Sequence, residues 1–201
     1  MDGILTGTSA ETATRDWLGQ FTSAIESGDG AKLAALFAGE CHWRDMLALT
    51  WELHTTSGAH AIGARIAGTL AAMKPRGFAI AAGRTPPRRV SRVHTDCIEA
   101  LFTFETEVGP CDGVVRLVNE GGTPRAWTLL TTLDEIRGHE DPGDGKHWQN
   151  VDWKRNFGGE NWSDRRRKAV AYEDRDPAVL VVGAAQAGLM VAARLTLLGV
   201  D

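Results

Sequence analysis

CIEALFTFETEV, residues 97–108, alternates apolar and polar positions more cleanly than any other stretch of this chain. Ile98, Ala100, Phe102 and Phe104 fall on one side; Glu99, Leu101, Thr103, Glu105 and Glu107 fall on the other. Successive side chains of a strand point to opposite faces, so the pattern predicts a strand with one buried face.

Working outward, Gly109-Pro110 marks a turn, 113–119 returns, Gly121-Gly122 turns again, and 125–136 reads as the last long strand. Upstream, 78–82 and 88–94 are short strands on either side of a break at Pro86-Pro87. Before residue 77 the period is helical. Trp17, Phe21, Ala24 and Ile25 recur at steps of three and four until Gly28 and Gly30. A short second helix presents Leu33, Leu36 and Phe37 and closes at Gly39. Residues 41–53 are mixed, with Trp43, Leu47, Leu49 and Trp51 alternating as in a strand or extended loop. The third helix is expected over 57–73, with Ser57 as its N-cap, a stripe of Ile62, Ile66, Leu70 and Met73, and Pro75 as its stop. The fold class is therefore α+β, three helices on one face of a curved antiparallel sheet with a pocket at its open end. This order of elements over 1–137 resembles the NTF2-like (SnoaL-like) cone.

The chain has 201 residues and is 43% hydrophobic and 24% charged, as expected of a globular protein. A net charge of −4 argues against a general nucleic-acid surface. The dense cationic run Arg165–Lys168 sits among Asp164, Glu173, Asp174 and Asp176 and reads as a solvated helix face. Cys41, Cys97 and Cys111 have no CxxC spacing, which suggests neither a disulfide framework nor a zinc site. The N-terminus lacks a basic start followed by an apolar core, and the longest apolar run is too short to span a bilayer. The expectation is a reducing, cytoplasmic setting, with no membrane, no nucleic-acid partner and no metal.

Residues 138–176 are polar and glycine-rich yet carry Trp148, Trp153 and Trp162. They read as an ordered strap, with a short helix from Asn161 to about Tyr172. Residues 177–201 change character again. AVLVV (178–182) reads as a buried parallel strand, GAAQAG (183–188) as a glycine turn, and LMVAARLTLLGVD as an apolar helix stopped by Gly199. Gly183 would allow the tight turn, Gly188 would let the helix lie close to the strand, and the helix N-terminus would offer N–H groups to a phosphate. Ala185 stands where the middle glycine of such a fingerprint belongs. The acidic ribose ligand is expected about 20 residues further on, so the reading is of a dinucleotide-binding unit cut short.

VLVVGAAQAGLMVAARLTLLGV (179–200) resembles the FAD-binding fingerprint of flavin-containing monooxygenases, and Asn161-Trp162 with Asp164-Arg165-Arg166 resembles the linker preceding it in one branch. That resemblance implies an FAD- and NADPH-dependent monooxygenase acting on a small molecule. Gly183, Ala185, Gln186 and Gly188 would be its cofactor-binding residues, the catalytic residues are unknown, and this piece would be inactive alone. It divides the chain into an NTF2-like accessory domain (1–137), the strap (138–176) and the start of a Rossmann-type FAD domain (177–201).

Weaker candidates remain. Asp45 with His54, His60 or His94, walled by Trp43 and Trp51, could serve acid–base chemistry as in isomerases and cyclases; the plainer reading is a corner closed by an Arg44–Asp45 ion pair. His139 and His147 flank an acidic loop whose spacing matches no common metal site. The tryptophans could cage a cation, though core or interface anchoring is the commoner role. The alternatives to the monooxygenase are a small-ligand-binding or isomerase-type domain and a non-catalytic module that forms a homodimer.

Overall fold

The computed structural model describes residues 9–140, 158–173 and 175–200. The chain divides into two compact units, Met1–His139 and Glu140–Asp201.

The first unit opens with helix α1 (Ala10–Ser27), capped by Ser9, whose side chain accepts the Thr12 N–H at 3.0 Å. Helix α2 (Gly30–Ala34) follows, capped by the Asp29 carboxylate. It is shorter than the apolar spacing suggests: Phe37 opens strand β1 (Phe37–Met46) instead of closing the helix. Strand β2 (Leu53–Ser57) returns beside β1, and helix α3 (Ala59–Met73) comes next. Ser57 is not the cap of α3. That place belongs to Gly58, whose φ of 88° reverses the chain, while the Ser57 hydroxyl pairs with His42 Nδ1 at 2.8 Å.

Five strands complete the unit: β3 (Arg76–Ile80), β4 (Arg88–Arg92), β5 (Thr95–Glu105), β6 (Pro110–Glu120) and β7 (Thr123–Leu133). The seven strands form one sheet in the order β2-β1-β7-β6-β5-β3, with β4 also paired to β5. The β1–β7 pair is parallel, against the expectation of a wholly antiparallel sheet; the long connection from β1 to β7 leaves room for it. The unit is thus α+β, a sheet with helices on one face.

The alternation of 97–108 fixes that face. Ile98, Ala100, Phe102 and Phe104 are buried and join the core with Trp17, Phe21 and Leu33 from the helices. Trp17 stacks on Phe21 at 5.0 Å, Phe21 meets Phe78 edge-on at 5.3 Å, and Phe78 stacks on Phe104 at 4.9 Å. Gly113 of β6 leaves space for the Phe102 ring, since a Cβ there would stand 2.1 Å from Phe102 Cζ. Burying each such phenylalanine contributes about 1.5–3 kcal/mol. These rings fill the middle of the unit.

In the second unit, helix α4 (Trp162–Ala171) is capped by Asn161, whose side chain accepts the Asp164 N–H at 2.9 Å. It buries no residue, Trp162 is 69% exposed, and the Arg166 guanidinium lies over its ring at 5.6 Å. Trp148 and Trp153 of the expected strap lie outside the described residues. Helix α5 (Gln186–Leu197) forms where the apolar helix was expected.

The strand before it does not form. Residues 178–182 have no strand pairing, and Val179, Leu180 and Val182 are 45%, 78% and 89% exposed. An apolar run becomes a buried strand only when neighbouring strands satisfy its backbone and cover its faces. No strand stands beside it among the described residues of this unit, so the expected Rossmann βα unit is corrected to an isolated turn and helix.

Candidate functional site

Asp45 is the most deeply buried carboxylate among the sequence candidates, at 1% exposure. It lies on β1, paired in register with Thr131 of β7. Its Oδ1 accepts the Thr131 hydroxyl at 2.6 Å, and its Oδ2 accepts the Thr50 hydroxyl at 2.6 Å and the Thr50 N–H at 2.7 Å. The Leu49 N–H is shared between the two oxygens at 3.2 and 3.1 Å. Thr131 in turn accepts the Trp43 indole N–H at 2.9 Å.

This arrangement clasps a loop. Leu47 and Trp51 have φ of 65° and 58°, and the carboxylate ties the backbone between them to the sheet. The expected Arg44–Asp45 ion pair is absent: neighbouring residues on a strand face opposite ways, and Arg44 Nη1 donates to Thr55 Oγ1 at 3.0 Å instead. A general base needs a lone pair aimed at substrate, whereas both Asp45 oxygens point at the loop and Thr131. The antiparallel register of β1 and β2 sets His54 directly across from Asp45, but His54, His60, His94 and Trp51 are all exposed and none of them is among the groups bonded to the Asp45 carboxylate. Trp43 is buried in the core. His139 is exposed, His147 lies outside the described residues, and no His/Cys/Asp/Glu group able to hold a metal occurs among the described residues.

A concave feature of the first unit lies elsewhere. A groove of about 540 Å³ runs between α1 and the chain at β3, lined by Leu18, Gly19 and Thr22 on one side and by Phe78 and 79–82 on the other. Phe78 links its floor to the aromatic core. Glu11 and Arg15, paired at 2.5 Å, stand at the groove wall and supply its charge. Strand β3 ends the sheet path, pairing with β5. Sequence reasoning placed both elements but not their contact, because residues 18–22 and 78–82 are joined only by tertiary packing. Gly19, a gap in the α1 surface, is the local trace of it.

All three cysteines are free and buried. Burial pushes each thiol up, Cys111 to about 11, which makes them packing residues rather than nucleophiles.

The proposed cofactor residues occupy one turn. Gly183 has φ 103°, Ala185 is the N-cap of α5 without a side-chain cap bond, and Gln186 opens the helix. A Cβ on Gly188 would fall 2.0 Å from the Gly183 carbonyl oxygen, so turn and helix pack as tightly as the motif requires. Among the described residues of this unit no paired strand or sheet stands behind the turn. A dinucleotide site needs the paired strand and the sheet that fix the helix N-terminus.

No family model and no curated protein matches the chain. Among solved structures it is similar to a domain of unknown function with a cystatin-like fold from Nostoc punctiforme, at 14% identity over 83% of this chain and 96% of that one, with a TM-score of 0.49. It is also similar to a DUF4783 family protein from Bacteroides fragilis, at 11% identity over 57% and 96%, with a TM-score of 0.42. A second cystatin-like protein of Nostoc punctiforme aligns at 11% identity over 61% and 89%, with a TM-score of 0.44. None of these three neighbours is described as a flavin monooxygenase, and the resemblance carried by 179–200 is corrected, because 178–182 forms no paired strand. That motif is a local pattern, and the strand giving it meaning is unpaired. No described helix is long and apolar enough to cross a membrane.

Proposed function

We propose that the first unit is a small-ligand-binding domain of the cystatin-like, NTF2-like cone type, and that its ligand seats between α1 and β3. The observation that carries this reading is the groove of about 540 Å³. Ligand sites commonly measure about 300–1,000 Å³ and combine an apolar lining with a few polar groups. Leu18, Phe78, Ile80, Ala81 and Ala82 supply the lining, and Glu11 with Arg15 the polar end. The ligand class is a molecule with an apolar body and one polar end. Binding is favoured over acid–base turnover because the Asp45 carboxylate is committed to the loop at 45–50.

Gly19 provides the test. Nothing lies within 4 Å of where its Cβ would stand, so the position accepts a side chain, and Gly19→Leu places an apolar one at the groove wall. Replacing a mid-helix glycine by leucine also favours α1 by roughly 0.5–1 kcal/mol. The wild type should bind the apolar fluorophore anilinonaphthalene sulfonate with a saturable component that Gly19→Leu lacks, while the variant melts no lower. Equal dye binding by both proteins would exclude the groove as the site.

A further inference from the structure

Glu99 lies on the sheet face opposite the core, since it alternates along β5 with the buried Ile98 and Ala100. Register places Arg88 of β4 and Arg116 of β6 directly across from it, one on each side. Arg88 Nη2 donates to Oε1 at 3.0 Å, and Arg116 Nε donates to Oε2 at 2.9 Å. Arg92 reaches back along β4 with a two-pronged contact, Nη2 to Oε1 at 2.8 Å and Nε to Oε2 at 3.1 Å. Each oxygen thus accepts two bonds.

The layering is asymmetric. The Glu99 side chain is 12% exposed, whereas those of Arg88, Arg92 and Arg116 are 52%, 41% and 33% exposed. The carboxylate lies beneath and the guanidinium groups stand above it, open to solvent. Three cations against one anion leave an excess of two positive charges, in a chain whose net charge is −4. Holding one glutamate needs a single arginine. Three converging guanidinium groups repel one another unless a further anion meets them. The same row of the sheet continues from Arg116 to Thr128 of β7 and His42 of β1, both able to donate a hydrogen bond.

We propose that Arg88, Arg92 and Arg116, gathered over Glu99, bind a phosphoryl dianion on the outer face of the sheet. Its charge of about −1.5 to −2 matches the local excess. Its oxygens suit the forked donors of arginine, which a point-charge lysine cluster would serve less well. Glu99 acts as a positioning residue that fixes the spacing of the three cations. The site is on the opposite face of the sheet from the helices and does not depend on the α1–β3 groove.

The test is an NMR titration of the full chain with inorganic phosphate at constant ionic strength, following the Arg92 and Arg116 Nε–H signals. Saturable shifts are expected. Arg88→Gln and Arg116→Gln should each weaken binding by about tenfold or more, the effect of one charge-assisted contact. Arg44→Gln, which removes a cation from the next row of the same face, should leave the affinity unchanged. A parallel titration with phenyl phosphate separates the sources: tighter binding points to a phosphomonoester of a larger molecule, and equal binding to phosphate itself. Arg88 is on a short strand and half exposed, so its variant decides the matter if Arg116→Gln fails to fold. Shifts that do not saturate, or that persist unchanged in Arg88→Gln, would overturn the proposal.

Discussion

Thr131 on β7 donates its hydroxyl proton to Asp45 on β1 across 2.6 Å, the two residues being in register where the strands run parallel. The bond joins the end of the last strand to the loop that follows the first. Asp45→Asn would set an amide NH2 or a single carbonyl against the Leu49 N–H, the Thr50 N–H and two hydroxyls. The expected cost is about 2–3 kcal/mol, from buried donors left without an acceptor. Urea unfolding measures it. Dye binding in the α1–β3 groove should be unchanged, because none of the Asp45 partners lines that groove. Loss of ligand binding at full stability would instead restore Asp45 as a functional group.

Phe102 and Gly113 interlock across β5 and β6. Gly113→Ala puts a methyl group 2.1 Å from Phe102 Cζ, and the ring has no room to retreat among Phe78 and Phe104. Overpacking of this kind costs about 1–3 kcal/mol and occasionally more. Adding Phe102→Leu should recover part of the loss, a coupling that a double-mutant cycle reads directly. Simple additivity of the two changes would show that the clash is relieved by backbone movement.

The sheet was legible where burial is one-sided. The alternation of 97–108 named the inward residues correctly because a strand with one wet face must repeat every second residue. The end of α2 was less legible: Leu33, Leu36 and Phe37 satisfy a helical stripe and a helix-to-strand step equally well. Local sequence marks Asp45 as a corner residue but does not name its partners Thr50 and Thr131, one of which lies 86 residues away. The glycine motif misled for a related reason. Gly183, Gly188 and α5 encode a turn and a helix locally, whereas a parallel strand exists only through its neighbours. Arg88, Arg92, Glu99 and Arg116 passed unnoticed as a group because register, not spacing, brings them together.

Glu99 makes the first unit sensitive to acid within a defined window. The Arg92 hydrogen bonds, aided by Arg116 and Arg88 and opposed by burial, lower its pKa from 4.5 to about 2. A carboxylate with a depressed folded-state pKa adds stability above its unfolded pKa and loses that contribution as pH falls through the folded one. Wild-type stability should therefore drop between pH 4.5 and pH 2 more steeply than that of Glu99→Gln, compared by urea unfolding at fixed salt. Parallel curves for the two proteins would mean that the three arginines do not hold the carboxylate in solution as they do in the structure.

The thiols supply a probe of opening. Cys41, Cys97 and Cys111 are 1%, 6% and 2% exposed, and burial is the first cause raising each pKa. Arg116 and Arg92 stand beside Cys97 and pull its pKa down, yet burial outweighs them. Thiolate is the reactive form, so the folded chain should resist alkylation at pH 8, and all three cysteines should label together on denaturation. Cys97 lies on β5 opposite Val90 of the short strand β4, whereas Cys41 on β1 and Cys111 on β6 belong to strands that do not pair with β4. Fraying of β4 would expose Cys97 first. Arg92→Gln, which loosens the contact between β4 and Glu99, should then speed labelling of Cys97 alone, a change that mass spectrometry of the modified peptides resolves. Equal acceleration at all three sites would indicate global unfolding and exclude a locally opening β4.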